Sequence, residues 1–350
     1  MKNYKRILFF LCIFFFFDRP GFSWNSDERY HSYQEVLSDF EELANTYPKL
    51  AEFVNLGNSF EGRKIFALRI TKAQEGMKKI LLTGGIHARE WLGVETTRLL
   101  AKYLLENYPN DEKIRNYLDV SEVWIVPIVN PDGFEYDRNT QALWRKNRRP
   151  IDNTGMGVDL NRNFDFQWDP PKSASTNPAS DIYRGPSPGS EPEVKIIQDL
   201  ISQGFSAFID FHSFSQIIIY PWGYTSSPAP DTSIFSAITK EMSKRIAEVN
   251  HRNYRTGQIP HLLYPVSGDS LDYAYGKFKT YAFCIELPPS MGAFSFYPPA
   301  SYIVPTAQEN FEAVKYLMEW LSPTSPKPTS SPKGIEVIEI ILRPSPAGSN

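Results

Sequence analysis

Three observations predict an α/β domain whose sheet is covered by helices on both faces. Short apolar runs rich in β-branched and aromatic residues recur along the chain, and segments of helical period lie between them. In addition, 350 residues with 41% hydrophobic content supply enough apolar surface for one sizeable core.

The elements follow in order. Ser32-x-x-Glu35 is a capping box, and Val36, Phe40, Leu43 and Tyr47 behind it keep helical spacing, so a helix opens the domain. Buried strands are read at Ile80–Leu82, Val123–Val129, Phe205–Phe211 and Thr280–Leu287. Helices are read at Val94–Tyr108, at Glu191–Ile201 behind a box Ser190-x-x-Glu193, and at Asp231–Val249. A final helix, expected to start at the box Thr306-x-x-Glu309, places Phe311, Val314, Leu317 and Leu321 on one face and closes the domain.

The flanks read differently. Lys2, Lys5 and Arg6 precede an apolar run, Ile7 to Phe17, too short to span a bilayer, so residues 1–23 are expected to be a signal peptide. Export implies a secreted protein, or a periplasmic one in a Gram-negative cell, with no stable membrane insertion after cleavage. The folded domain is expected over 28–321, a Pro/Ser/Thr-rich linker over 322–334, and a tail of unassigned role over 335–350. The net charge of −3 carries no basic field toward nucleic acid. Cys12 falls in the signal, so Cys284 is the one mature cysteine; inside an apolar run it reads as a small buried residue.

Chemistry gathers at strand ends. Gly84-Gly-Ile-His87-Ala-Arg-Glu90 leaves one strand, His212 follows another and Glu286 closes a third, so all three reach the edge where open α/β sheets hold ligands. Two imidazoles and a carboxylate leave the fourth position of zinc open, as in catalytic sites. Zinc activates the attacking water, and Glu286 is placed to move its proton. The remaining histidines, His31, His251 and His261, lack such a setting and are read as surface residues. The basic stretch Trp144–Arg148 is read as lying beyond the Val123–Val129 strand.

The sequence resembles the metallocarboxypeptidases of the carboxypeptidase A/B group, most of all the bacterial carboxypeptidase T branch. The motifs are Gly85-Ile-His-Ala-Arg-Glu-Trp91, Asn130-Pro-Asp-Gly133, Trp144-Arg-Lys-Asn-Arg148, Asp159-Leu-Asn-Arg-Asn163, Phe211-His-Ser213, Gly268-Asp-Ser-Leu-Asp272 and Phe283-Cys-Ile-Glu286. The resemblance implies a single domain with a mixed, mainly parallel, twisted sheet and one zinc per chain. It implies His87, Glu90 and His212 as ligands, Glu286 as general base and acid, and Arg145 as the oxyanion's partner. Asn161, Arg162 and Tyr264 would hold the substrate's terminal carboxylate, Arg89 would touch upstream residues, and Asp159 would hold the far nitrogen of His87. The partner is a peptide or protein C-terminus, and the enzyme is expected to be a monomer.

The resemblance also draws the specificity pocket, with Ile219, Gly223, Ile259, Leu263, Val266, Leu271 and Cys284 as an apolar lining. Leu271 stands where relatives that prefer Lys or Arg carry aspartate, whereas Asp269 matches an aspartate of the T branch, which accepts both apolar and basic ends. Apolar or aromatic preference with secondary basic activity is expected. Phe214 replaces a tyrosine common in the animal enzymes. Residues 24–29 alone separate the expected cut from the first family-like segment, leaving no room for an inhibitory pro-domain. The metal and Glu286 alone would also fit a zinc amidase; Asn161, Arg162 and Tyr264 are what favour an exopeptidase.

Overall fold

A computed structural model describes residues 29–72, 77–153, 155–292 and 295–322. The signal segment, the linker after Ser322 and the tail lie outside the described residues. The strands are Ala51–Asn58 (β1), Lys64–Ile70 (β2), Lys78–Gly84 (β3), Ser121–Val126 (β4), Pro150–Asp152 (β5), Gly155–Met156 (β6), Ala207–Ser213 (β7), Ile217–Tyr220 (β8), Arg255–Gln258 (β9) and Tyr281–Leu287 (β10). The helices are Tyr33–Thr46 (α1), Trp91–Asn107 (α2), Glu112–Leu118 (α3), Pro131–Thr140 (α4), Pro192–Ile201 (α5), Thr232–Asn250 (α6), Ile259–Leu262 (α7), Ser270–Phe278 (α8) and Ile303–Leu321 (α9).

Eight strands form one mixed sheet in the order β1-β2-β4-β3-β7-β10-β8-β9. Its centre, β4-β3-β7-β10, is parallel. Because side chains alternate along a strand, each central strand feeds two cores. Leu82, Ile125, Ile209 and Phe283 face one core with α1, α2, α6 and α9. Leu81, Trp124, Phe208 and Cys284 face the other with α5 and α8. Strands buried on both faces read as continuous apolar runs, which is why the sequence exposes them.

The Ser32 box is present, with the Ser32 side chain accepting from the Glu35 N–H and Glu35 accepting from the Ser32 N–H. The other two boxes are not. Helix α5 begins at Pro192, which has no N–H to be capped, and Ser190 instead donates to Glu191 at 2.7 Å. Helix α9 starts at Ile303, so Thr306 lies inside it; Glu309 is buried and accepts from the Tyr254 hydroxyl at 2.7 Å. His31 is also not a surface residue. It is 3% exposed, and its Nδ1 lies 3.0 Å from the buried Glu95 carboxylate, which in turn holds Arg98. His251 and His261 are exposed, as expected.

Elements without a clean period escape the sequence reading. Strand β1 is an edge strand with irregular burial and a register shift at Gly57, β8 has four residues, and β9 is polar. Helix α4 intervenes between β4 and the Trp144–Arg148 loop, so that loop leaves a helix rather than a strand. Asn130 builds this corner. Its Oδ1 caps α4 through the Gly133 N–H, and its Nδ2 donates to the carbonyls of Ile86 and Lys146, joining the loops that carry His87 and Arg145.

Candidate metal centre and active site

Three adjacent parallel strands deliver the central side chains. Glu286 on β10 is in register with His212 on β7, and Gly84 at the end of β3 pairs with Phe211. Helix α2 must start hard against these strands for Glu90, its N-cap, to join them. A Cβ on Gly93 would lie 2.7 Å from the Phe211 carbonyl oxygen, and one on Gly84 would lie 2.7 Å from that of Gly93, so two glycines make the approach possible.

His87 Nδ1 lies 2.9 Å from Glu90 Oε1, His212 Nδ1 lies 3.0 Å from Glu90 Oε2, and the two Nδ1 atoms are 3.1 Å apart. All three residues are buried. Donor atoms converging at this spacing match an edge of a zinc tetrahedron, roughly 3.3 Å for bonds of about 2.0–2.1 Å. The residues therefore fit zinc.

The outward nitrogens make no hydrogen bond of good geometry, but each faces a buried carboxylate. His87 Nε2 lies 3.3 Å from Asp159 Oδ1, and His212 Nε2 lies 3.1 Å from Asp210 Oδ2, so each ring presents Nδ1 inward. Asp210 is held by the hydroxyls of Thr83 (2.6 Å) and Ser270 (2.9 Å). Sequence reasoning found Asp159 and missed Asp210; the signal was Asp-x-His on one strand, since residues two apart share a face. Burial alone would raise the carboxyls of Glu90 and Asp159, but the neighbouring histidines hold Glu90 well below the usual range, and Arg145, Arg162 and His87 do the same for Asp159.

One pocket is lined by His87, Glu90 and His212 together with Arg145, Asn161, Arg162, Tyr264, Asp269, Leu271 and Glu286. Arg145 donates through Nε to Asp159 at 2.8 Å, and its Nη1 lies 3.9 Å from Glu90. Asn161 accepts the Ser270 N–H on Oδ1, which leaves its amide nitrogen as a donor. Arg162 spends Nε on the Ser173 carbonyl and Nη1 on that of Asn161, which leaves Nη2. Burial pushes the Glu286 carboxyl up to about 8; His212 and Arg145 oppose the rise and Glu90 adds to it.

Ile219, Ile259, Leu263, Val266 and Cys284 complete the lining. Gly223 stands behind it, where a Cβ would meet Asp269 Oδ2 and Val266 at 3.0 Å. The Cys284 thiol is pushed well up by burial and by Glu286, as befits a wall residue rather than a nucleophile. Asp269 Oδ1 caps α8 by accepting from Leu271 and Asp272 N–H, whereas Oδ2 is buried without a hydrogen-bond partner. Like Gly223 and Asp159, Arg89 lies outside the lining of this pocket. It donates to the Leu143 carbonyl at 3.0 Å and lies over the Phe296 ring, 4.2 Å from its centroid, and Phe296 packs edge-on against Phe214.

Residues 36–313 match the family model for zinc carboxypeptidases (Peptidase_M14). Carboxypeptidase A4 of Mus musculus is 36% identical over 296 residues, covering 83% of this chain and 70% of that protein. Metallocarboxypeptidase A of Trichophyton tonsurans is 37% identical over 299 residues, with the same coverage. The crystal structure of carboxypeptidase A from Helicoverpa armigera superposes with a TM-score of 0.76 at 31% identity, covering 83% of this chain and 73% of that one. The paired histidines and glutamate, the sheet that gathers them and the family match together identify the chain as a member of the zinc carboxypeptidase family and an enzyme of the carboxypeptidase A type.

Proposed function

We propose that this enzyme removes C-terminal residues with apolar or aromatic side chains and, more slowly, basic ones. The observation that carries the reading is a single pocket in which the metal cluster, Glu286, two carboxylate-binding side chains and an apolar wall meet. His87, Glu90 and His212 would hold the zinc, which supplies Lewis-acid polarisation and acidification of water when bound. The positive charge of a bound zinc would lower the Glu286 carboxyl from its raised value, so that Glu286 can take a proton from the attacking water and return it to the leaving amine. Arg145 faces the oxygen on which charge develops, so its contribution grows toward the transition state.

Asn161 and Arg162 offer an amide nitrogen and a guanidinium nitrogen to the terminal carboxylate, a charge-assisted pattern that an amidated end cannot match. Tyr264, about half exposed, closes over it, and Arg89 on the Phe296 wall meets residues upstream. Leu271 and Ile219 favour apolar ends, because an unpaired cation in such a pocket costs more than the roughly 2–7 kcal/mol of burying an unpaired neutral polar group. Asp269 Oδ2, which makes no hydrogen bond among the described residues, offers a basic end partial compensation, while the apolar remainder of the wall keeps basic activity secondary. The test is release of terminal Phe, Leu, Lys and Glu from otherwise identical peptides; Lys or Glu as the best substrate would overturn it.

We also infer a signal peptide at 1–23, a linker after the catalytic domain, export from the cytoplasm and action as a monomer. The basic and apolar start of the chain supports the signal peptide and export.

A further inference from the structure

Asp137 lies near the C-terminal end of α4, fully buried, where both burial and the helix dipole disfavour a carboxylate. No cation lies within ion-pair distance of it among the described residues, and burial raises its carboxyl despite the hydrogen bonds it accepts. Those bonds come from three segments. Oδ1 accepts the Trp144 N–H at 2.6 Å; Oδ2 accepts the Trp91 indole N–H at 3.0 Å and the Tyr297 hydroxyl at 2.7 Å.

Each donor adjoins part of the active site. Trp91 follows Glu90, Trp144 precedes Arg145, and Tyr297 follows Phe296. The Tyr297 oxygen also accepts the Leu143 N–H at 3.0 Å, and Leu143 sits at φ 55°, a left-handed conformation that a leucine keeps only when its surroundings fix it. The Ala88 N–H donates to the Arg145 carbonyl at 3.0 Å. Residues 143–145 are thus clamped from both sides, with Asp137 at the centre of the clamp.

We infer that Asp137 is a positioning residue that aims Arg145 at the reacting carbonyl and seats the Phe296 wall beside it. It touches neither substrate nor metal and acts through the 143–145 backbone. The inference rests on the reading of Arg145 as the oxyanion's partner. Asp137→Asn keeps the shape, but with its one oxygen on the side of the Trp91 and Tyr297 donors it sets an amide donor against the Trp144 N–H.

The experiment is a double-mutant cycle with Arg145→Ala, read as kcat and KM separately on zinc-loaded full-length enzyme, with zinc content and amide exchange at Trp144 recorded alongside. The expected result for Asp137→Asn is roughly a tenfold fall in kcat, KM changed less than about twofold, zinc content unchanged and faster exchange at Trp144. In the Arg145→Ala background the same change should have almost no further effect on kcat. A full tenfold loss in that background, loss of zinc, or unaltered exchange would overturn the inference. If Arg145→Ala itself keeps wild-type kcat, the oxyanion reading falls first and this inference with it. Should Asp137→Asn not fold, Tyr297→Phe removes one of the three donors and must show the same dependence on Arg145, with a smaller loss; additive losses would again overturn it.

Discussion

One carboxylate connects the metal cluster to the basic side chain beside it: Asp159 Oδ1 lies 3.3 Å from His87 Nε2, and Asp159 Oδ2 accepts from Arg145 Nε at 2.8 Å. Asp159 is buried and held ionised by Arg145, Arg162 and His87 against the pull of burial. Its charge therefore serves a ligand's orientation and a guanidinium's aim together. Asp159→Asn should weaken zinc binding by about 10–100-fold and lower kcat further at saturating zinc. Chelator competition followed by kinetics separates the two effects; unchanged zinc affinity would exclude the role at His87.

Glu286 lies next to His212 across the parallel β7–β10 pair and contributes no atom to the His87–Glu90–His212 cluster. Glu286→Gln should keep zinc at one per chain while kcat falls by about 10²–10⁴. Metal analysis beside turnover checks this; turnover near the wild-type level would remove Glu286 from the chemistry.

Leu271 lines the pocket, whose buried carboxylate oxygen belongs to Asp269. Leu271→Asp should move the preference toward terminal Lys and Arg, and Asp269→Asn should lower the remaining basic activity of the native enzyme. The shift in the Lys-to-Phe ratio of kcat/KM is the readout, expected at about tenfold or more per 1.4 kcal/mol of changed pairing. A Lys-to-Phe ratio unmoved by Asp269→Asn would mean that its free oxygen does not face the side chain.

Glu193 is buried among Asn147, Glu191 and the Phe60 N–H, and burial, with Glu191 adding, pushes its carboxyl up to about 7. A carboxyl raised on folding gives stability that is full below its unfolded value of 4.5 and is lost as pH rises through about 7. Glu193→Gln should therefore gain on the wild type between about pH 5 and 8, by up to about 3 kcal/mol. Melting curves across that range test it; a pH-independent difference would contradict it.

How much of this was legible in the sequence follows from where each residue's partners lie. The central strands showed because burial on both faces leaves an unbroken apolar run, as in Phe205–Phe211. His87, His212 and Glu286 showed because strand ends concentrate ligands. His31 did not, because its partner Glu95 is 64 residues away and reads as an ordinary helical glutamate. Asp137 was invisible for the same reason: in sequence it is one polar residue of a polar helix, and its three donors meet only in the fold. The Thr306 box failed because a local pattern was outweighed by the long-range demand of Tyr254 and Arg252 for Glu309.

In the function proposed above, Asn161, Arg162 and Tyr264 make a zinc hydrolase into one that requires a free C-terminus. The most direct measurement compares hydrolysis of a peptide ending in Phe with hydrolysis of the same peptide amidated at that end, under zinc-loaded conditions. Rapid release of Phe from the free acid is expected, with a loss of about a hundredfold in kcat/KM on amidation, since the charge-assisted contact of Arg162 Nη2 and its support from Asn161 disappear. Equal cleavage of both peptides would contradict it.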